Sequence, residues 1–253
     1  MQTRRQKTEN DNMIFGLRPI IEALKAGKEI DKLFVQNGLK NELFGEMMGL
    51  LKKHNVIYQY VPVEKLNRLT SKNHQGVVGF ISTIEYNKID KVLPMVFEAG
   101  KTPLILILDR VTDVRNFGAI ARTAECAGVD AIVIPSRGAA QINADAIKTS
   151  TGALHKIPVC REDNLKEVID YLRESGLQVV ACTEKTEELY YEPDYTLPVA
   201  IIMGSEEDGI SPEYLKRCDS LAKIPLLGEI GSLNVSVAAG VILYEAVKQR
   251  MKG

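Results

Sequence analysis

From Pro103 onward the chain alternates short apolar runs with amphipathic stretches. Leu104–Leu108 and Val199–Met203 are wholly apolar, and Ala131–Ile134, Val179–Thr183 and Leu221–Pro225 have the same character. Each is of strand length and far short of the ~18 apolar residues a membrane span needs. Between them Asn116–Ala127 has helical spacing and stops at Gly128, Ser211–Cys218 reads as a short helix with Pro212 in its first turn, and Asn234–Met251 reads as a long closing helix. Apolar strands interleaved with helices predict a parallel sheet covered on both faces. The N-terminal part has a finer grain: helices over Leu17–Ala26, Asn41–His54 and Val63–Leu69, and strands over Ile30–Val35, Val56–Val61 and Gly76–Ser82.

These patterns divide the chain into a polar, disordered tail (1–12), a small α/β domain (13–83), a linker (84–101) around Pro94 and Gly100, and a larger α/β domain (102–253). A short helix over Val92–Glu98 sits inside the linker and could belong to the second domain. The tail lacks the apolar core of a secretory signal, which predicts a cytoplasmic protein.

The formal net charge is −1, but it is unevenly spread. Residues 1–83 hold 13 Lys and Arg against 8 Asp and Glu, a net of +5, and residues 84–253 hold 19 against 25, a net of −6. A basic part joined to an acidic one suggests that the first part meets a polyanion, although counts this small also fit a random fluctuation. Cys126, Cys160, Cys182 and Cys218 form no C-x-x-C pair, and His54, His74 and His155 are scattered, so reduced buried thiols and no metal site are expected. Gly100-Lys101-Thr102 imitates the end of a phosphate-binding loop, but Met95 stands where its first glycine belongs and a strand follows where a helix should. No G-x-G-x-x-G follows a strand, which removes the main support for a nicotinamide dehydrogenase.

Three segments carry candidate chemistry. In the first, Leu108 to Arg122, a buried strand ends at Asp109 and a polar loop leads to Asn116, a good N-cap. Arg122 lies one turn beyond Gly118, over which its guanidinium could reach back toward the sheet edge. On this helix alone a surface ion pair is the plainer reading of Arg122. In the second, Met203-Gly204-Ser205-Glu206-Glu207-Asp208-Gly209, a strand enters an acidic loop bracketed by glycines. Three adjacent acids repel a phosphate and suit a neutral or cationic ligand, or an arginine, although a solvated turn is the commoner meaning of such a run. In the third, Ile224 to Ser236, a strand ends at Pro225 and a glycine-rich loop opens onto the last helix, with Ser232 and Asn234 at its mouth.

Together these segments resemble the three signature motifs of the SpoU (TrmH) family, within the SPOUT class of RNA methyltransferases: N-F-G-A-I-A-R, G-S-E-E-D-G and I-P-L-L-G-E-I-G-S-L-N-V-S, in the family's order. The N-terminal G-L-R-P-I-I-E-A-L and H-Q-G-V-V are similar to the family's substrate-binding domain, and with it the chain most resembles the RlmB-like branch, which methylates a guanosine ribose of 23S ribosomal RNA. The resemblance implies an α/β knot (trefoil knot) with a smaller L30e-like domain, S-adenosyl-L-methionine as cofactor, and 2′-O-ribose methylation of ribosomal RNA or a large-subunit precursor by a homodimer. It assigns catalysis to Asn116, Arg122, Glu206, Ser232 and Asn234, and cofactor contacts to Thr183, Gly204, Ile224, Leu226, Ser232 and Leu233. In the basic domain the candidate RNA contacts are Arg18, Lys52, Lys53, Arg68, Lys72 and His74. Two other readings stand beside this one: a transfer-RNA methyltransferase of the same family, which commonly lacks the N-terminal domain, and a non-catalytic RNA-binding assembly factor, which predicts loss of Arg122 or of the Ser232–Asn234 loop.

Overall fold

The computed structural model describes residues 12–252. The expected tail lies outside the described residues except for Asn12, whose side chain donates to the Ile81 carbonyl at 3.1 Å. The chain forms two compact units, one running to Glu85 with Ile142–Ala144 added, the other holding the rest.

The first unit contains β1 (Met13–Phe15), α1 (Leu17–Lys25), β2 (Ile30–Gln36), α2 (Glu42–Lys53), β3 (Gln59–Val61), α3 (Val63–Leu69) and β4 (Val77–Ile81). Its sheet has the order β1-β4-β2-β3. Strand alternation sends successive side chains to opposite faces. One set, including Leu33, Val35 and Val77, packs under α1 and α2; the other, Phe34, Val61 and Val78, packs under Leu66 of α3.

The second unit contains β5 (Tyr86–Asn87), α4 (Ile89–Glu98), β6 (Leu104–Leu108), α5 (Val114–Cys126), β7 (Ala131–Pro135), α6 (Ala144–Thr149, its first residue grouped with the other unit), β8 (Val159–Glu162), α7 (Leu165–Glu174), β9 (Gln178–Cys182), β10 (Val199–Met203), α8 (Pro212–Leu215), β11 (Ser220–Ala222) and α9 (Val235–Arg250). The seven strands form one sheet of order β11-β9-β10-β6-β7-β8-β5. Every pairing in it is parallel. Strands β6, β7 and β10 are buried almost throughout, as is the middle of β9, which explains their apolar sequences.

The stretch 84–101 is not a free linker. Tyr86–Asn87 pairs with β8, and α4 buries Ile89, Val92, Leu93 and Val96 in the core of the second unit. That i, i+3, i+4, i+7 spacing is a core-facing helix stripe, and it outweighs the Pro94 within the helix. The order of the last strands has a topological consequence. The loop between β9 and β10 grips the final segment at two places: Glu188 and Tyr190 exchange backbone hydrogen bonds with Lys223, while Tyr195 bonds to Gln249 and Arg250. These bonds tie the closing strand–loop–helix to that loop.

Candidate active site

Because β6, β9, β10 and β11 are parallel and in register, their C-terminal ends lie side by side: Met203 pairs with both Leu108 and Cys182, and Ala222 with Cys182. The three motif loops leave the sheet along this edge, where open α/β sheets bind ligands.

Asp109 is buried and anchors the first loop. Its Oδ2 accepts from the Ser211 backbone N–H and hydroxyl, both at 2.7 Å, and its Oδ1 from Arg110 Nε at 3.1 Å. Arg110 has φ +57° and also reaches Asp208 (3.1 Å) and the Gly209 carbonyl (3.2 Å). Its hydrogen bond to Asp109 raises its basicity further. Arg110 thus clamps the first loop to the second. In the second loop Ser205 and Gly209 exchange backbone hydrogen bonds, and Gly209 turns the chain at φ +66°. A Cβ on Gly204 would collide with the backbone of Gly209 and Ile210. Gly204 is therefore required by the loop's own return, not by a ligand approaching on that side.

The loops meet at Glu206. Its Oε1 accepts from Asn234 Nδ2 (2.7 Å), Asn116 Nδ2 (3.1 Å) and the Val235 backbone N–H (3.2 Å), and Asn234 also donates to Asn116 Oδ1 (3.0 Å). One carboxylate thus ties α5 to the N-terminus of α9, where the helix dipole favours a negative charge. This corrects one expectation: the α5 N-cap is Asp113, which accepts from the Asn116 N–H at 2.7 Å, so Asn116 is free to face Glu206. The α9 cap is Asn234. Glu206 orients Asn116 and the neighbouring helix α9.

Two clefts flank this junction. The first, about 380 Å³, brings together Thr183, Gly204, Ile224, Leu226, Ser232 and Leu233, the six residues named for the cofactor. Met203 and Ala238 add apolar wall, and Glu184 and Glu206 add acid at its border. Cys182 lines it too, with its thiol pushed up to about 12 by burial, so it offers a neutral wall and not a thiolate nucleophile. The second, about 360 Å³, is lined by Arg110, Thr112, Asp113, Asn116 and Gly138. Ser205–Asp208 and Val235 border both clefts.

Arg122 stands apart from this cluster. It is exposed on α5, lines neither cleft, and has no hydrogen bond or ion pair among the described residues. Gly118 does not clear a path for it. A Cβ there would lie 2.8 Å from Thr149 Cβ and 2.9 Å from the Ala146 carbonyl, so the glycine admits α6. In the first unit Arg18, Lys52, Lys53, Arg68 and Lys72 are exposed, but His74 is buried. Its Nδ1 accepts from the Gly76 N–H, which leaves Nε2 to donate to Asn67 Oδ1, both at 2.9 Å. Both ring nitrogens are used within the unit, so His74 shapes a turn and is no surface contact. Sequence reasoning missed Asp109, Arg110, Asp113 and Ser211; an aspartate directly after five buried apolar residues was the available signal.

Comparison with known proteins agrees with this geometry. Residues 103–244 match the model of the SpoU rRNA methylase family, and residues 13–87 match that of the RNA 2′-O ribose methyltransferase substrate-binding domain. A putative TrmH family tRNA/rRNA methyltransferase of Bacillus subtilis is 35% identical over 243 residues, 96% of this chain and 98% of the relative. The structure of an AdoMet-bound rRNA methyltransferase from Sinorhizobium meliloti superposes with TM-score 0.60 at 28% identity, covering 93% of this chain and 86% of the other. The TrmH/SpoU tRNA-modifying enzyme of A. aeolicus superposes with TM-score 0.56 at 33% identity, covering 65% of this chain and 85% of the other. The chain belongs to the SpoU family of RNA methyltransferases.

Proposed function

We propose that this protein, as a homodimer, uses S-adenosylmethionine to methylate the 2′-hydroxyl of a guanosine ribose in 23S ribosomal RNA or its large-subunit precursor. The observation that carries the reading is the convergence of all three motif loops on Glu206, between two clefts that share one wall. When bound, the cofactor supplies an electrophilic methyl group on a positively charged sulfur. The first cleft fits such a molecule, with an apolar wall from Met203, Ile224, Leu226 and Leu233 and carboxylates at its border. The second cleft takes the acceptor nucleotide. Asn116 has a second amide hydrogen without a partner among the described residues, available to a ribose oxygen there. Ser232 lines the first cleft and is available to the ribose from the other side. A guanidinium holds its proton tightly and is a poor base. Arg122 therefore grips the phosphate beside the acceptor sugar, and alignment of the reacting atoms supplies much of the acceleration.

Ribosomal RNA is favoured because the rRNA methyltransferase matches both units, whereas the tRNA-modifying enzyme matches a share that the second unit alone would fill. The homodimer is favoured by α9. One side of that helix buries Ala239, Ile242, Leu243 and Ala246; the other exposes Val237, Tyr244 and Met251, seven residues apart. A helix with apolar residues on its exposed side as well as its buried one wants a second partner.

The test is transfer of labelled methyl to ribosomal and transfer RNA, with mapping of the modified sugar. Label in a 23S guanosine ribose is expected, and label confined to transfer RNA or to a base would refute the proposal. Arg122→Ala should bind cofactor normally yet lose at least ~100-fold in methyl transfer. Unimpaired transfer removes Arg122 from the mechanism.

A further inference from the structure

The two faces of the first unit's sheet are finished differently. The face under α1 and α2 is closed, and its border carries an ion pair, Lys25 to Glu46 at 2.6 Å. The opposite face is covered only in part. There the register lines up two rows of side chains across the strands: Phe15, Val78 and Phe34 in one, Met13, Phe80 and Lys32 in the other. Leu66 of α3 packs onto Phe34, Val61 and Val78, and shuts the first row at one end. Met13, Phe15 and Phe80 remain partly exposed.

Three lysines stand over this face. Lys65 and Lys32 place their ammonium groups 4.5 and 5.2 Å from the centre of the Phe34 ring, and Lys72 lies 5.6 Å from that of Phe15. None of the three pairs with a carboxylate among the described residues. Phe80 has no ring or cation partner there. It lies diagonally across from Phe15 and beside Lys32. Unpaired cations around a half-open aromatic surface combine two features of single-stranded RNA recognition, charge for the backbone and a flat ring for an unstacked base.

We infer that the α3 face of this sheet is a docking surface for single-stranded RNA, with Phe80 stacking on a splayed base, Phe15 beside it, and Lys32 and Lys72 taking the flanking phosphates. The inference rests on the reading of the chain as an RNA methyltransferase and names the part of the substrate the first unit holds: an unpaired loop or strand. A regular duplex presents no free base face to such a platform. Lys52 and Lys53 end α2, which covers the other face.

The experiment uses the full chain and a single-stranded RNA with a central 2-aminopurine, beside a blunt duplex of the same sequence. Binding of the single strand should quench the fluorophore and exceed binding of the duplex. Phe80→Leu keeps the apolar volume and removes the ring; it should weaken single-strand binding about fivefold or more and abolish the quench. Lys32→Gln and Lys72→Gln together should flatten the salt dependence by about 1.4 in the log–log slope, at ~0.7 per phosphate contact. Folding is checked by thermal melting, and cofactor affinity is measured on each variant. Variants that fold, bind cofactor and hold single-stranded RNA as the wild type does would overturn this surface alone, leaving it to a second copy of the chain or its first eleven residues. A wild-type chain with no cofactor affinity would overturn the methyltransferase reading instead.

Discussion

Replacing Glu206 tests whether one carboxylate holds the site together. In Glu206→Ala three donors lose their common acceptor: the amides of Asn116 and Asn234 and the backbone N–H of Val235. Glu206 is exposed, so water takes over some of these bonds, and each is worth about 0.5–1 kcal/mol net. The lost charge at the α9 N-terminus adds about 0.3–1 kcal/mol. The sum is about 2–4 kcal/mol, which lowers the melting temperature of a unit this size by about 4–16 °C. Glu206→Gln keeps a carbonyl oxygen for the three donors and loses only charge, so it should cost about 1 kcal/mol. Calorimetric melting and titration with S-adenosylmethionine read both effects. The alanine variant should bind at least about tenfold more weakly, because the wall shared by the two clefts loosens, and glutamine should stay within about threefold. An alanine variant that melts and binds like the wild type would refute the hub. Equal damage from both substitutions would mean that the charge itself acts on the cofactor.

Three further outcomes follow from separate parts of the structure. Gly204→Ala drives a methyl group into the Gly209–Ile210 backbone, so it should cost more than ~3 kcal/mol, seen as loss of soluble protein or a sharply lowered melt; a wild-type melt contradicts the close approach. Tyr244→Glu places a charge on the exposed apolar side of α9 and should give a monomer by light scattering, whereas an unchanged dimer would assign the interface elsewhere. Cys160, Cys182 and Cys218 are each pushed up to about 12 by burial, while Cys126 is exposed. At pH 8 such a buried thiol is ionised to about one part in ten thousand, so a thiol reagent should modify one cysteine quickly and three only on unfolding. Since the folded values lie above the unfolded value of ~8.5, their contribution to stability is complete below that pH and is lost as pH climbs toward 12.

How much of this was legible in the chain depends on how far each signal travels. The strands Leu104–Leu108 and Val199–Met203 were readable to the residue because burial on both faces leaves an unbroken apolar run. Strand β8 and helix α7 were not found: Val159–Glu162 ends in Arg161 and Glu162, near the sheet border, where the apolar signal fades. Five of the six cofactor residues were legible as motif members, Thr183 standing outside the three motifs, and the fold brings all six to one cleft. Contacts that depend on long-range closure were invisible. Nothing local says that Glu206 meets Asn116 and Asn234, ninety and twenty-eight residues away, or that Asp109 caps Ser211. Gly118 shows how a local argument misleads, since helix geometry cleared a path for Arg122 through space that α6 occupies. What the motifs preserve is therefore the carboxylate, amides and glycines that let the three loops close on one another. Arg122, outside that closure and without a side-chain partner among the described residues, is a motif residue with no structural task inside the unit. That is the position expected of a group whose partner is the substrate.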